Sequence, residues 1–105
     1  MATAADLFER MPGVFQADKA SGVNASVVFD LSGEGGGQWT VTVTDGQCNV
    51  ASGAAEAPTA TVKMDATDYV DMVAGRLNAI NAFMMGKVKV EGDINTVMKF
   101  QSLFG

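Results

Sequence analysis

A chain of 105 residues, 48% apolar and 18% charged, is globular and large enough for one core but not for two. Its net charge of −5, with seven scattered Lys and Arg, argues against a nucleic-acid or anionic-membrane surface. With one cysteine, Cys48, and no histidine, an internal disulfide is excluded and the commonest general base and metal ligand are missing.

The opening Met1–Gly13 has no basic start and no continuous apolar run, so it does not read as a signal peptide. No apolar run nears the ~20 residues that span a bilayer. The chain closes Leu103-Phe104-Gly105 rather than on a Ser-Lys-Leu peroxisomal ending. The expectation is one soluble, cytoplasmic domain over residues 1–105.

Thr3 reads as an N-cap with Asp6 in the first turn, followed by a Leu7-Phe8-Met11 stripe that Pro12-Gly13 should end. Asp18 to Ala20 suggests one more helical turn. From Asn24 the period changes to two: Ala25, Val27, Phe29 and Leu31 mark a strand with one buried face. A Gly-rich link from Ser32 to Gly37 leads to a second strand, with Trp39, Val41 and Val43 facing one way and Thr40, Thr42 and Thr44 the other. Asp45-Gly46 is a two-residue hairpin signal into a third strand holding Cys48 and Val50.

After a small-residue loop from Ser52 to Pro58, Ala60, Val62 and Met64 mark a fourth strand. Asp65 should cap a helix striped by Tyr69, Val70, Val73 and Leu77, with Gly75 and Asn78 splitting the region into two short helices. A fifth strand over Lys87 to Glu91, a Gly92-Asp93 turn and a closing helix complete the chain. The outward threonines and charges imply one wet sheet face, with every helix on the other. The predicted class is α+β: a five-stranded, mostly antiparallel sheet with helices covering one face.

The closing helix carries more apolar residues than one buried face needs. At ~100° per residue from Ile94, Met98 falls at ~40°, Val97 at ~300°, Phe104 at ~280°, Phe100 at ~240° and Leu103 at ~180°. Asn95, Lys99 and Ser102 form its one polar strip, so the apolar arc is about twice the ~100° that rests on a sheet. Phe83, Met84 and Met85 in succession cannot all enter one core either. The chain's seven methionines are adaptable apolar filler. An apolar ligand cavity accounts for both excesses.

Other chemistry is weaker. Gly33 to Gly37 lacks the Lys-Ser/Thr and the strand–loop–helix setting of a phosphate loop. Cys48 has no histidine to activate it and reads as structural. Asp65, Asp68 and Asp71 suit a helix N-terminus as well as they suit a weak cation site, and no metal or cofactor is expected. Tyr69 and Asp68 invite comparison with an enolate-stabilising pair, but adjacent helical residues diverge by ~100° and would not meet one oxygen.

From Phe15 to Phe104 the chain resembles the sterol carrier protein type 2 domain. The matching landmarks are Val27-Val28-Phe29-Asp30-Leu31, the Gly-rich link to Trp39, the Asp45-Gly46 turn and Met64-Asp65-Ala66-Thr67-Asp68-Tyr69. The most specific is Phe83-Met84-Met85-Gly86-Lys87-Val88-Lys89-Val90-Glu91-Gly92-Asp93, followed by Met98-Lys99 and Leu103-Phe104. The resemblance implies an apolar tunnel between sheet and helices. It also implies non-catalytic binding and transfer of fatty acid, fatty acyl-CoA, phospholipid or sterol, by a compact stand-alone protein of prokaryotic type.

Trp39, Ile80, Phe83, Met84, Met98, Phe100, Leu103 and Phe104 are expected to line or border that cavity, with the final helix as its cover. Lys87, Lys89 and Lys99 are either solvated or placed to meet a carboxylate or CoA phosphate at its mouth. The partners expected are an apolar small molecule and at most a transient membrane contact, from a monomer or weak dimer with no nucleic acid. A protein-interaction or dimerisation module using the same apolar helix is the alternative, and a small enzyme acting on an apolar substrate the third reading.

Overall fold

The computed structural model describes residues 3–104; Met1, Ala2 and Gly105, on which the expectations about the chain's two ends partly rest, lie outside the described residues. In chain order the elements are α1 (Ala4–Val14), a 3₁₀ turn (Ala17–Lys19), β1 (Ala25–Ser32), β2 (Gly37–Thr44) and β3 (Gln47–Ser52). They continue with β4 (Ala60–Asp65), α2 (Ala66–Val73), α3 (Ala79–Met84), β5 (Val88–Gly92) and α4 (Ile94–Leu103).

The five strands form one sheet in the order β3-β2-β1-β4-β5. Every neighbouring pair is antiparallel except β1 and β4, which run parallel with Val27 opposite Ala60 and Leu31 opposite Met64. The turn from β2 to β3 is the two-residue one expected: Asp45 and Gly46 both take positive φ, 52° and 72°, the combination whose twist matches a hairpin.

α1 runs two residues beyond Pro12, although Pro-Gly was expected to end it. Proline lacks the N–H that would bond the Phe8 carbonyl, and α1 gives up that one bond in its last turn. Phe15 then turns extended and bridges to Phe104, and the Gln16 amide donates to the Leu103 carbonyl at 2.7 Å. Tertiary pairing, rather than the Pro-Gly signal, sets where the helix stops.

The helices cover one face, where Val27, Leu31, Val41, Val43, Val62 and Met64 are buried. The opposite face is not wholly wet, contrary to the alternation of its threonines: Val28 and Thr40, paired across β1 and β2, are also buried. The chain leaving β3 at one edge must pass β2 and β1 to reach β4. Thr40 fixes that passage, its hydroxyl donating to the Gly53 carbonyl at 2.8 Å and accepting from the Ala55 amide at 3.0 Å.

Candidate functional site

The interior between sheet and helices is built from aromatic rings. Thr3 caps α1 reciprocally with Asp6: the Asp6 amide donates to Thr3 Oγ1 at 3.2 Å and the Thr3 amide to Asp6 Oδ2 at 3.1 Å. Hydrogen bonding from Thr3, its amide first, holds the Asp6 carboxyl below the usual aspartate range. With the helix anchored there, Ala4, Phe8 and Met11 fall on its buried face. Phe8 lies between Trp39 and Tyr69, its centroid 4.7 Å from the Trp39 ring and 5.1 Å from Tyr69, both nearly parallel. Phe29 closes the group as a tilted ring 5.3 Å from Phe8.

Tyr69 is brought here by α2, whose N-cap Asp65 accepts the Thr67 amide at 2.8 Å. Burial pushes its phenol well above the ordinary tyrosine value. Asp68 points elsewhere, 3.9 Å from Lys87 Nζ, so the two do not act on a common oxygen.

A second apolar group forms at α4. Asp93 caps the helix, accepting the Asn95 amide at 2.9 Å and the Thr96 hydroxyl at 3.1 Å. Phe100 and Leu103 are buried and Val97 packs partly against the core. Phe104 leaves the helix extended and sets its ring 5.5 Å from Phe15 and 6.4 Å from Phe100. On the Phe100 side of α4 a cleft of about 240 Å³ is bordered by Val23, Ala25 and Phe100 together with the polar Asp93, Asn95, Thr96 and Lys99.

Of the eight residues expected at a ligand cavity, the structure places Trp39, Phe100, Leu103 and Phe104 in or against one core. Ile80, Phe83, Met84 and Met98 stand instead at 70%, 46%, 78% and 64% exposure. Met98 is turned out because Phe100 and Leu103 set the roll of α4, and Met98 lies ~160° from Phe100.

For α3 the cause is different. Asn78 caps its start, accepting the Ile80 and Asn81 amides at 2.9 and 3.1 Å. Gly86 closes its end, with the Gly86 amide donating to the Phe83 carbonyl and the Lys87 amide to that of Ala82. Held at both ends, α3 seats Ala82 at 0% exposure and sends its large side chains outward.

Sequence reasoning missed Phe8, Phe29 and Phe15 as members of the interior group. Spacing marked the face that Phe8 and Phe29 occupy and gave no signal for Phe15, and the partners of a face are set by topology.

Among the described residues no three His, Cys, Asp or Glu gather as a metal site. Each acid at α2 has its own occupation: Asp65 is the cap, Asp68 faces Lys87, and Asp71 holds Arg76 at 3.0 Å. Cys48 is half-buried, and burial pushes its thiol up, away from the reactive thiolate.

A five-stranded, mostly antiparallel sheet with all its helices on one face and an apolar interior defines the molecule's class as α+β. A family model described as the SCP-2 sterol transfer family matches residues 7–105, and the chain belongs to that family. Hydroxysteroid dehydrogenase-like protein 2 of Xenopus tropicalis is 35% identical over 78 residues, which is 73% of this chain and 19% of that protein. The chain thus spans about a fifth of the length of such curated relatives.

Solved structures carry the same fold. The sec-alkylsulfatase Pisa1 from Pseudomonas sp. superimposes with a TM-score of 0.86 at 21% identity, covering 98% of this chain and 16% of that one. Palmitated SCP2L2 from Aedes aegypti superimposes at 0.79 with 22% identity, covering 96% of this chain and 93% of that one.

Proposed function

We propose that the protein is a non-catalytic carrier that holds the hydrocarbon chain of a lipid between its helices and its sheet. The observation that carries the reading is the apolar interior against which Trp39, Phe100, Leu103 and Phe104 pack, in a chain of the SCP-2 sterol transfer family. The ligand's chain lies against Phe100, Leu103 and Phe104 and reaches toward Trp39. Lys99, at the border of the cleft beside Phe100, meets its carboxylate or phosphate. Fatty acid and fatty acyl-CoA fit this arrangement best.

The magnitudes suffice. Each methylene withdrawn from water contributes ~0.8 kcal/mol, so about a dozen give ~10 kcal/mol. Association costs of at least ~4 kcal/mol leave room for micromolar affinity. Such binding follows chain length more than headgroup, so selectivity among lipids is broad.

Native mass spectrometry of freshly purified protein tests this, and co-purifying lipid is the expected result. Trp39, the chain's only tryptophan, gives a second readout. Fatty acid or acyl-CoA should change its fluorescence because the ligand enters beside the Phe8 stack. Absence of lipid together with unchanged fluorescence through titrations with fatty acid, acyl-CoA and sterol would end the carrier reading.

A further inference from the structure

α3 is inside-out. Its large apolar residues Ile80, Phe83 and Met84 share one face, at i, i+3 and i+4, and that face points to solvent together with Met85. The residue seated against the protein is Ala82. A short helix would turn its largest side chains inward if nothing else favoured the outward pose. Here both ends are pinned, by Asn78 at the start and by Gly86 and Lys87 at the end, so the outward face is a built feature.

We infer that the outward face of α3 is the surface with which the protein docks on a zwitterionic phospholipid bilayer, its four apolar side chains entering the interfacial zone. Three observations choose this occupant. The first is charge: no residue from Leu77 to Gly86 is ionisable, and the flanking cations are balanced locally, Arg76 by Asp71 at 3.0 Å and Lys87 by Asp68 at 3.9 Å. In a chain of net charge −5 this apolar face therefore offers a bilayer neither repulsion nor a cationic claw.

The second is area. Four such side chains amount to the ~300–600 Å² of an ordinary monomer's largest apolar patch, short of the ~800 Å² each partner gives a stable complex. A second copy would also bring its own −5. The third is composition: unbranched methionine beside isoleucine and phenylalanine adapts to a fluid surface without needing a shaped pocket. The inference rests on the carrier reading in that a carrier must collect its lipid from a bilayer.

The experiment is co-sedimentation of the full chain with phosphatidylcholine vesicles, compared with vesicles containing phosphatidylglycerol. The variants are Ile80→Asp, Met84→Asp and, as a control at an exposed apolar residue of α1, Val14→Asp. Ile80 and Met84 are largely exposed, so both variants should fold, and circular dichroism checks that they do.

The expected result is binding to phosphatidylcholine, no gain on phosphatidylglycerol, a loss of tenfold or more in each α3 variant, and no loss in Val14→Asp. Fatty-acid affinity in vesicle-free solution should stay within about twofold. Wild-type protein that ignores phosphatidylcholine overturns the inference, as do α3 variants that still bind vesicles, or Val14→Asp losing as much. So does a parallel fall in fatty-acid affinity, which would put α3 at the ligand, or a wild-type dimer that Met84→Asp dissociates, which would put a second copy on α3. Vesicle binding without any fatty-acid binding supports the docking surface while ending the carrier reading, so the two fail separately.

Discussion

Tyr69 is the chain's only tyrosine, so its ionisation can be followed without deconvolution. Pressed flat against Phe8 and buried, it keeps its proton far above the ordinary range because a phenolate there would lose its hydration. Its pKa is raised on folding, so the neutral form contributes stability below the unfolded value of ~10, and that contribution falls as pH climbs past it. Absorbance near 295 nm should therefore stay flat through the pH at which free tyrosine titrates and rise only with unfolding. A smooth titration near pH 10 in folded protein would mean the ring is not held in the stack.

Glycines at turns show how an element's geometry, rather than its composition, decides cost. Gly92 ends β5 at φ +87°, and a Cβ there would stand 2.6 Å from the Thr59 carbonyl oxygen and 3.1 Å from the Ala60 Cα. Gly46, at φ +72° in the β2–β3 turn, would meet nothing within 4 Å. Alanine at either site takes on the ~1 kcal/mol of a left-handed conformation. Only Gly92→Ala adds a clash with backbone that cannot move without disturbing β4. Urea unfolding should show a loss of about 1 kcal/mol for Gly46→Ala and about 2–4 kcal/mol for Gly92→Ala. Equal losses would show that the clash is relieved by a shift of the turn.

At the scale of the molecule, the segment that follows α1 is clasped to the end of α4. Phe15 and Phe104 bridge, their rings meet, and the Gln16 amide holds the Leu103 carbonyl. The clasp continues into the core through Phe100, whose ring lies 6.4 Å from that of Phe104. Phe104 is only partly buried, so Phe104→Asp should cost about 1–2 kcal/mol of stability. If Phe104 also touches the ligand, fatty-acid affinity should drop by more than that, tenfold or further, measured by Trp39 fluorescence beside a thermal melt. Losses of equal size would leave Phe104 as a structural clasp only.

What the amino-acid order determined by itself was local. The alternation of Val27, Phe29 and Leu31, the Asp45-Gly46 turn, the caps at Thr3 and Asp65, and the break between α2 and α3 at Gly75 and Asn78 depend on contacts within a few residues, so strands, turns and those helix starts were legible from spacing, whereas the end of α1 was not. The Phe83–Asp93 run and its neighbours were specific enough to point to the family.

The tertiary structure decided everything that needs two distant segments: that Phe8 enters between Trp39 and Tyr69, that Phe15 meets Phe104, and that the β3–β4 passage buries Val28 and Thr40. It also decided the roll of α3. Periodicity shows that Ile80, Phe83 and Met84 share a face, but the direction of that face depends on which residue is small enough to pack beneath the helix. Ala82 is, and the two caps hold it there.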